Sequence, residues 1–433
     1  MAILRTSTSN QSFISKFLTL ITVISLCLAV FAFVLQWKGE VDLSRYLTAP
    51  VHERTDTLTF SGSKARDCIE SFRSDSYHLT PAFYGGDDRD IHPKICITTT
   101  TSDDLQRLLQ WVYYHKVIGV VNFFIFVEGV AAEKNTSSVL EAIPGVKVIH
   151  KTVDLEKKRA HSNAMNNKTS LSGSFHKTCD HGISTEPPLD VLMAIVMARD
   201  AGMDWIIHID TDELMHPSGS DDYSLKKVLT NVPNDVDMVI FPNYESIIER
   251  DDITDPFTEV SLFKRNYEHI AKDYFYSFNK EARHGNDRYF LTYTNGRSAA
   301  RVQDHLHPIG AFRWNSYAKK TLKEIIMDEA VVLHYTYTTF SDLSSRKDHC
   351  SCKVSDAERC FSSNFDRDAF IISSTSNENK MVQWFHQYIV WTDKNIILQL
   401  IRHGIMTHIT APMAIIKALK NSGAFSAAVE SVK

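Results

Sequence analysis

The apolar run Trp205-Ile-Ile-His-Ile209 leads straight into Asp210-Thr-Asp212-Glu213. A short apolar run bounded by polar residues reads as a buried strand. Two carboxylates spaced by one residue at its end then sit at the rim of a sheet, facing one pocket. Hard divalent cations take such oxygens together with substrate phosphates. A cation held there neutralises a diphosphate leaving group as a Lewis acid. The competing reading is a turn followed by a helix cap, which the same residue types favour. Bare D-x-D is common by chance. At the end of an apolar strand it is much more specific, and the metal reading is preferred.

Several elements must position these groups. Ile95-Cys-Ile-Thr-Thr99, Val121–Val127, Val146–His150 and Val236–Phe241 read as further strands. Leu105, Leu108, Leu109, Val112 and Tyr113 recur at helical spacing after Asp103-Asp104. Leu189–Ala201 and Leu225–Val232 are helix candidates, Ala330–Tyr337 a strand, Ser341–His349 helix-like, and Met381–His403 an amphipathic helix. Strands alternating with helices predict an α/β fold with a mostly parallel central sheet. Ligands bind such sheets beyond the carboxyl ends of the strands. There is no G-x-G-x-x-G after the first strand and no G-x-x-x-x-G-K-[ST], so dinucleotide oxidoreductases and P-loop NTPases find no support.

The 433 residues carry a formal net charge of −5, with no basic footprint for nucleic acid. Phe17–Leu35 is an uncharged run of 19 residues, long enough to cross a hydrocarbon core of ~30 Å. It is longer than a signal-peptide core and no small-x-small site follows it, so a retained anchor is preferred to a cleaved leader. The organisation expected is a cytoplasmic tail (1–16), a transmembrane signal anchor (17–35) and a stem (36–90). A catalytic domain (91–340) follows, with a helical C-terminal extension (341–433) packed on it. A short leader before a large domain predicts a single-pass type II protein with the domain in the lumen. Residues 1–35 hold two positive charges and no negative ones, which leaves −7 on the remainder. Six of the seven cysteines lie outside the span, and six cysteines allow 15 pairings. The cluster Cys350, Cys352, Cys360 beside His349 reads as disulfides or buried thiols in preference to zinc, since it lacks a C-x2-C step. Asn135 and Asn167 head glycosylation sequons, which agree with a lumenal location.

The segment WIIHIDTDELMHP (205–217) resembles the D-x-D strand of GT-A glycosyltransferases, and its D-x-D-E form is similar to glycosyltransferase family 92. Asn295-Gly-Arg-Ser-Ala-Ala-Arg301 resembles the basic segment of that family, and Leu333-His334-Tyr335 its His-Tyr strand. HYTYTTFSDLSSRKDHCSCK (334–353) and VWTDKNIILQLIRHGIMTHITAP (390–412) are similar to the plant KOBITO-like group of glycosyltransferase-like membrane proteins. The similar segments span about residues 93–425. The resemblance implies a GT-A (nucleotide-diphospho-sugar transferase) fold that uses a UDP- or GDP-linked sugar and Mn²⁺ or Mg²⁺. Asp210, Asp212 and His334 would hold the metal, with Asp210 also placed to contact the ribose. Arg297 and Arg301 would pair with the phosphates, for which arginine forks are suited, against the alternative of a solvated face, and Glu128, at the end of its strand, would meet the nucleotide base. For His334 the bland alternative is a core histidine. An inverting transfer needs a general base, for which Asp304 and Asp328-Glu329 are candidates, whereas a retaining one needs none. The acceptor would be a glycan or cell-wall polymer, in a Golgi or other secretory-pathway membrane or at the plasma membrane, with a role in cell-wall or cellulose formation and growth. The alternative from another class is a catalytically silent GT-A domain that regulates cell-wall synthesis as a membrane scaffold.

Overall fold

The computed structural model describes residues 92–151, 189–265, 293, 295–309, 313–316, 321–348, 352–361 and 363–432. The anchor, the stem and the Asn167 sequon lie outside the described residues. Among the described residues no helix is long and apolar enough to cross a membrane.

A seven-stranded mixed sheet forms the centre, in the order β12-β6-β9-β4-β1-β2-β3. These strands are β1 (Ile95–Thr101), β2 (Asn122–Val127), β3 (Val146–His150), β4 (Trp205–His208), β6 (Met238–Phe241), β9 (Arg297–Arg301) and β12 (Glu324–Ile326). Pairing is parallel between β1 and β2, β2 and β3, β1 and β4, and β12 and β6. β9 runs antiparallel between β4 and β6. The parallel part is thus as expected from the alternation of elements, and the inserted antiparallel strand is not.

The inner strands β2, β4 and β6 are buried on both faces, so their sequences read as short apolar runs. Ile95, Ile97, Phe123, Ile125, Trp205 and Ile207 point to one core, shared with the helix α1 (Leu105–Val117). Cys96, Phe124, Phe126 and Ile206 point to the other, with Val191, Ala194 and Ile195 of the helix α2 (Leu189–Asp200). The Cys96 thiol is fully buried, and burial pushes its pKa far up.

A second, five-stranded sheet has the order β14-β8-β7-β13-β5. Its strands are β5 (Glu213–His216), β7 (Asn243–Ile247), β8 (Leu262–Arg265), β13 (Val331–His334) and β14 (Met406–His408). β14 binds the C-terminal region to β8 through the register Thr407 to Phe263. Met381–His403 is two helices, Glu378–Tyr388 and Lys394–Arg402. The chain breaks between them to set Val390 beside Ile248 and to give the Trp391 N–H to the Ile248 carbonyl at 2.8 Å. Cys352 and Cys360 form a disulfide, so neither is a zinc thiolate.

Candidate active site

β4 delivers Asp210, and the chain turns at once into β5, so the D-x-D-E loop joins the two sheets. The loop is tied down on its core side. The Trp111 indole N–H of α1 lies 3.1 Å from the Asp210 carbonyl and 2.9 Å from that of Glu213. The Thr211 hydroxyl donates to Asp103, next to the N-cap of α1, at 2.5 Å. It also meets the Thr101 hydroxyl at the end of β1 at 3.2 Å.

The four loop residues then divide. Glu213 is 2% exposed, and its carboxylate accepts from the Asp210 backbone N–H at 2.9 Å and from Arg297 Nε at 2.6 Å. Arg297 Nη2 reaches the Asp210 carboxylate. Arg297 is itself 3% exposed, so its charge is met inside the protein by two carboxylates. Burial works to lower the Arg297 pKa, but Glu213 and Asp210 outweigh it and push it up. Burial in turn raises the Glu213 carboxyl above the usual range, against the pull of Arg297.

Asp212 takes a different partner, although its side chain is about as exposed as that of Asp210, 35% against 37%. Its Oδ2 lies 3.4 Å from His334 Nε2, and about a third of its side chain is open to solvent. Burial acts to raise the Asp212 carboxyl, yet the His334 charge and hydrogen bond hold it below the usual range. Burial acts to lower His334, and the carboxylates of Asp212, Glu213 and Glu245 lift it to about 9.

His334 owes its place to register. It sits opposite Glu213 on β5 and opposite Glu245 on β7, and Glu245 sits opposite Lys264 on β8. Glu213, His334, Glu245 and Lys264 therefore form one buried row across four strands, with Glu245 and Lys264 paired at 3.0 Å. The Tyr293 ring meets His334 edge-on at 4.8 Å between centroids. Its hydroxyl donates to the fully buried Asp366, as does the Tyr337 hydroxyl, and Arg346 pairs with the same carboxylate at 3.3 Å. Tyr337 takes a φ of 49°, a strained conformation of the kind that clusters at functional sites.

This geometry bears on the metal. Asp212 and His334 put an oxygen and an imidazole nitrogen on one half-open spot, and His334 Nδ1 is buried with no hydrogen-bond partner among the described residues. Mg²⁺-type cations are held by one or two carboxylates plus substrate phosphates, so the pair fits a cation that arrives with its substrate. No closed cage of three or more His, Cys, Asp or Glu exists among the described residues.

No family model matches the chain. Two Arabidopsis thaliana proteins named glycosyltransferase-like are similar to it. One is 49% identical over 423 residues, which covers 95% of this chain and 82% of that protein. The other is 50% identical over an alignment of 441 positions, covering 98% and 96%. The chain belongs to this glycosyltransferase-like family. Two solved structures match much more distantly. A mycobacterial protein gives a TM-score of 0.26 at 10% identity, over 60% of this chain and 76% of that one. The mannosyltransferase PcManGT from Pyrobaculum calidifontis, solved with GDP-Man and Mn²⁺, gives 0.28 at 11% identity, over 86% and 95%. At those scores neither bears on the fold or the function.

In this glycosyltransferase-like chain the candidate residues fall into two groups. Asp210, Asp212, His334 and Arg297 come together at the carboxyl end of β4. Glu128 lies on the same rim, where its backbone N–H binds the Thr101 carbonyl at 3.0 Å and its carboxylate faces Lys151 at 3.4 Å. Lys151 also pairs with Asp190 at 3.0 Å, a rim contact that the spacing of residues does not reveal. Arg301 and Asp304 are not brought to this rim. Arg301 pairs with Trp205 at the start of β4, and Asp304 lies beyond it, 96% exposed and 3.4 Å from Arg199. Glu329 precedes β13, at the end away from His334, and its carbonyl binds the Gly219 N–H.

Proposed function

We propose that this chain is a metal-dependent glycosyltransferase of the GT-A type. It would move a sugar from a UDP- or GDP-linked donor to a glycan or cell-wall acceptor. The observation that carries the reading is the division of the D-x-D-E loop: Asp210 and Glu213 are locked on Arg297, while Asp212 is presented with His334 at the sheet rim. A bound Mn²⁺ or Mg²⁺ would supply Lewis-acid stabilisation of the diphosphate. The chain supplies the rest. Asp212 and His334 would hold the cation. Arg297 offsets one unit of the charge of Asp210 and Glu213 and bonds both carboxylates. Glu128 and the Thr101 end of β1 lie where a nucleoside would extend along the rim. Arg301 and Asp304 stand too far along β4 and β9 for phosphate binding or for acting as the base.

Consistent with the KOBITO-like resemblance, the reading extends to a single-pass type II secretory-pathway protein. Its lumenal domain would serve cell-wall or cellulose formation. The Cys352–Cys360 disulfide supports that compartment. One observation favours a second reading, a silent scaffold: Arg297 already engages Asp210, which leaves two donors for a cation. Full-length protein in detergent, screened with UDP- and GDP-sugars against a Mn²⁺ titration, separates the two. Metal-dependent donor binding and hydrolysis or transfer support the enzyme. Folded protein that binds no donor sinks it.

A further inference from the structure

The two arginines that the resemblance assigns to phosphate are engaged elsewhere, Arg297 by two carboxylates and Arg301 by carbonyls and an indole. A different guanidinium stands beside the metal pair. Arg107 is the third residue of α1, and the N-cap of that helix, Asp104, accepts from the Arg107 backbone N–H at 2.9 Å. The cap fixes this first turn just beyond the carboxyl end of β1.

Two contacts flank the Arg107 guanidinium, and each leads to Asp212. On one side its Nε lies 3.6 Å from the Asp103 carboxylate, which accepts from the hydroxyl of Thr211, the residue before Asp212. On the other side it lies 5.5 Å from the ring centroid of Phe257, whose ring meets Tyr335 edge-on at 4.8 Å. Tyr335 follows His334 in the chain and gives its N–H to the Asp212 carbonyl at 2.9 Å. The charge of Arg107 accordingly reaches Asp212 and helps to hold its carboxyl down, after the larger effect of His334. Neither flanking contact is a hydrogen bond, since the Asp103 ion pair is too long for one. A guanidinium carries five N–H donors. Those of Arg107 make no hydrogen bond to another described residue, Nε is buried without a partner, and 26% of the side chain is open to solvent.

A cation on Asp212 and His334 would sit near this second positive charge, and like charges repel. An anion between the two removes the conflict, and arginine forks match phosphate oxygens in pairs. We infer that Arg107 binds the diphosphate of the donor, on the side of the metal pair that α1 provides. The choice of a nucleotide diphosphate over other diphosphates rests on the glycosyltransferase reading.

Full-length protein is titrated by calorimetry with UDP, GDP and pyrophosphate in the presence of Mn²⁺, and with Mn²⁺ alone by electron paramagnetic resonance. Arg107→Met keeps an unbranched stem against Phe257 and removes the charge. Arg107→Lys keeps the charge and removes the fork. All three diphosphates should bind about ten- to hundredfold more weakly to Arg107→Met and about three- to tenfold more weakly to Arg107→Lys. Mn²⁺ alone should bind Arg107→Met at least as tightly as the wild type, because a like charge beside Asp212 has gone. A merely structural arginine would instead weaken Mn²⁺ and the diphosphates together. If Arg107→Met melts early, Arg107→Lys decides. Diphosphate binding at wild-type strength in the folded variants, or a parallel loss of Mn²⁺ affinity, would overturn the assignment and leave the glycosyltransferase reading standing. Wild-type protein that takes pyrophosphate through Arg107 but neither UDP nor GDP would sink that reading and keep the anion site. Wild-type protein that binds no diphosphate of any kind overturns both.

Discussion

Arg297 and Arg301 begin and end the same strand, carry the same charge and do different work. Arg297 stands at the carboxyl end of β4 and is enclosed by Asp210 and Glu213. Arg301 stands at the amino end. There its guanidinium lies 4.4 Å over the Trp205 ring and donates to the Val236 carbonyl at 2.8 Å, with Val232 and Pro233 near by. β9 is antiparallel to β4, so four residues of strand carry the chain from the functional rim to the structural one. The comparison teaches that strand direction, and not the basic pattern, decides which arginine meets the acids. Asp210, Asp212 and Glu213 gather at the carboxyl end of β4. At the opposite end Arg301 bonds carbonyls and stacks on an indole, and the nearby Asp204 and Asp237 carboxylates are engaged by the Lys94 and Lys323 N–H groups.

The sharpest way to break this contrast is Arg297→Leu. It leaves two carboxylates without their buried partner, so stability should fall by about 3–5 kcal/mol, read from urea midpoints, and donor binding should fall with it. A second test uses acid. His115 is fully buried, its Nε2 accepts from the Met215 N–H at 3.3 Å and its Nδ1 faces the Trp111 carbonyl at 2.8 Å, so the ring must be neutral. Burial lowers His115 and His216 to about 3. The unfolded chain takes up these protons near pH 6.5 and the folded chain does not. Stability is therefore complete above about pH 6.5 and is lost as pH falls toward 3, by about 2 kcal/mol per histidine at pH 5. Melting curves from pH 7.5 to 5 check this, and His115→Gln should flatten them. Arg301→Ala should cost about 1–2 kcal/mol through its stacking and carbonyl bonds, with donor affinity unchanged in the same titrations. Smallest of all, Asp304→Asn should shift stability by less than about 0.5 kcal/mol and leave the transfer rate alone.

Much of the rim was legible because its signals are local. The run WIIHI announces a buried strand, and Asp210 and Asp212 follow at once. The second sheet was not legible. β5 (ELMH) and β7 (NYESI) mix acids with apolar residues and alternate poorly, because both of their faces are covered. The row from Glu213 to Lys264 depends on register between strands up to 121 positions apart, which no spacing encodes. The resemblance of the basic segment assigns Arg297 to phosphate, whereas the antiparallel placement of β9 sets its guanidinium on Asp210 and Glu213, a pairing that no local pattern shows. The break in the helix over Met381–His403 did have a local signal. Asp393 caps the second helix by accepting from the Asn395 and Ile396 N–H groups, a stop-and-restart that amphipathic periodicity hides.

The central claim is that Asp212 and His334 present a cation to a nucleotide sugar while Asp210 and Glu213 serve the loop. Calorimetric titration of UDP- and GDP-sugars into full-length protein, with and without Mn²⁺, tests it most directly when repeated on Asp212→Ala and His334→Ala. The account predicts Mn²⁺-dependent binding by the wild type and a loss of at least ~10–100-fold in both variants, read below the melting transition of each, since His334→Ala also removes the buried partner of Glu213 and Glu245 and lowers stability. Donor binding that survives in folded Asp212→Ala at full strength, or that ignores Mn²⁺ in the wild type, would contradict it.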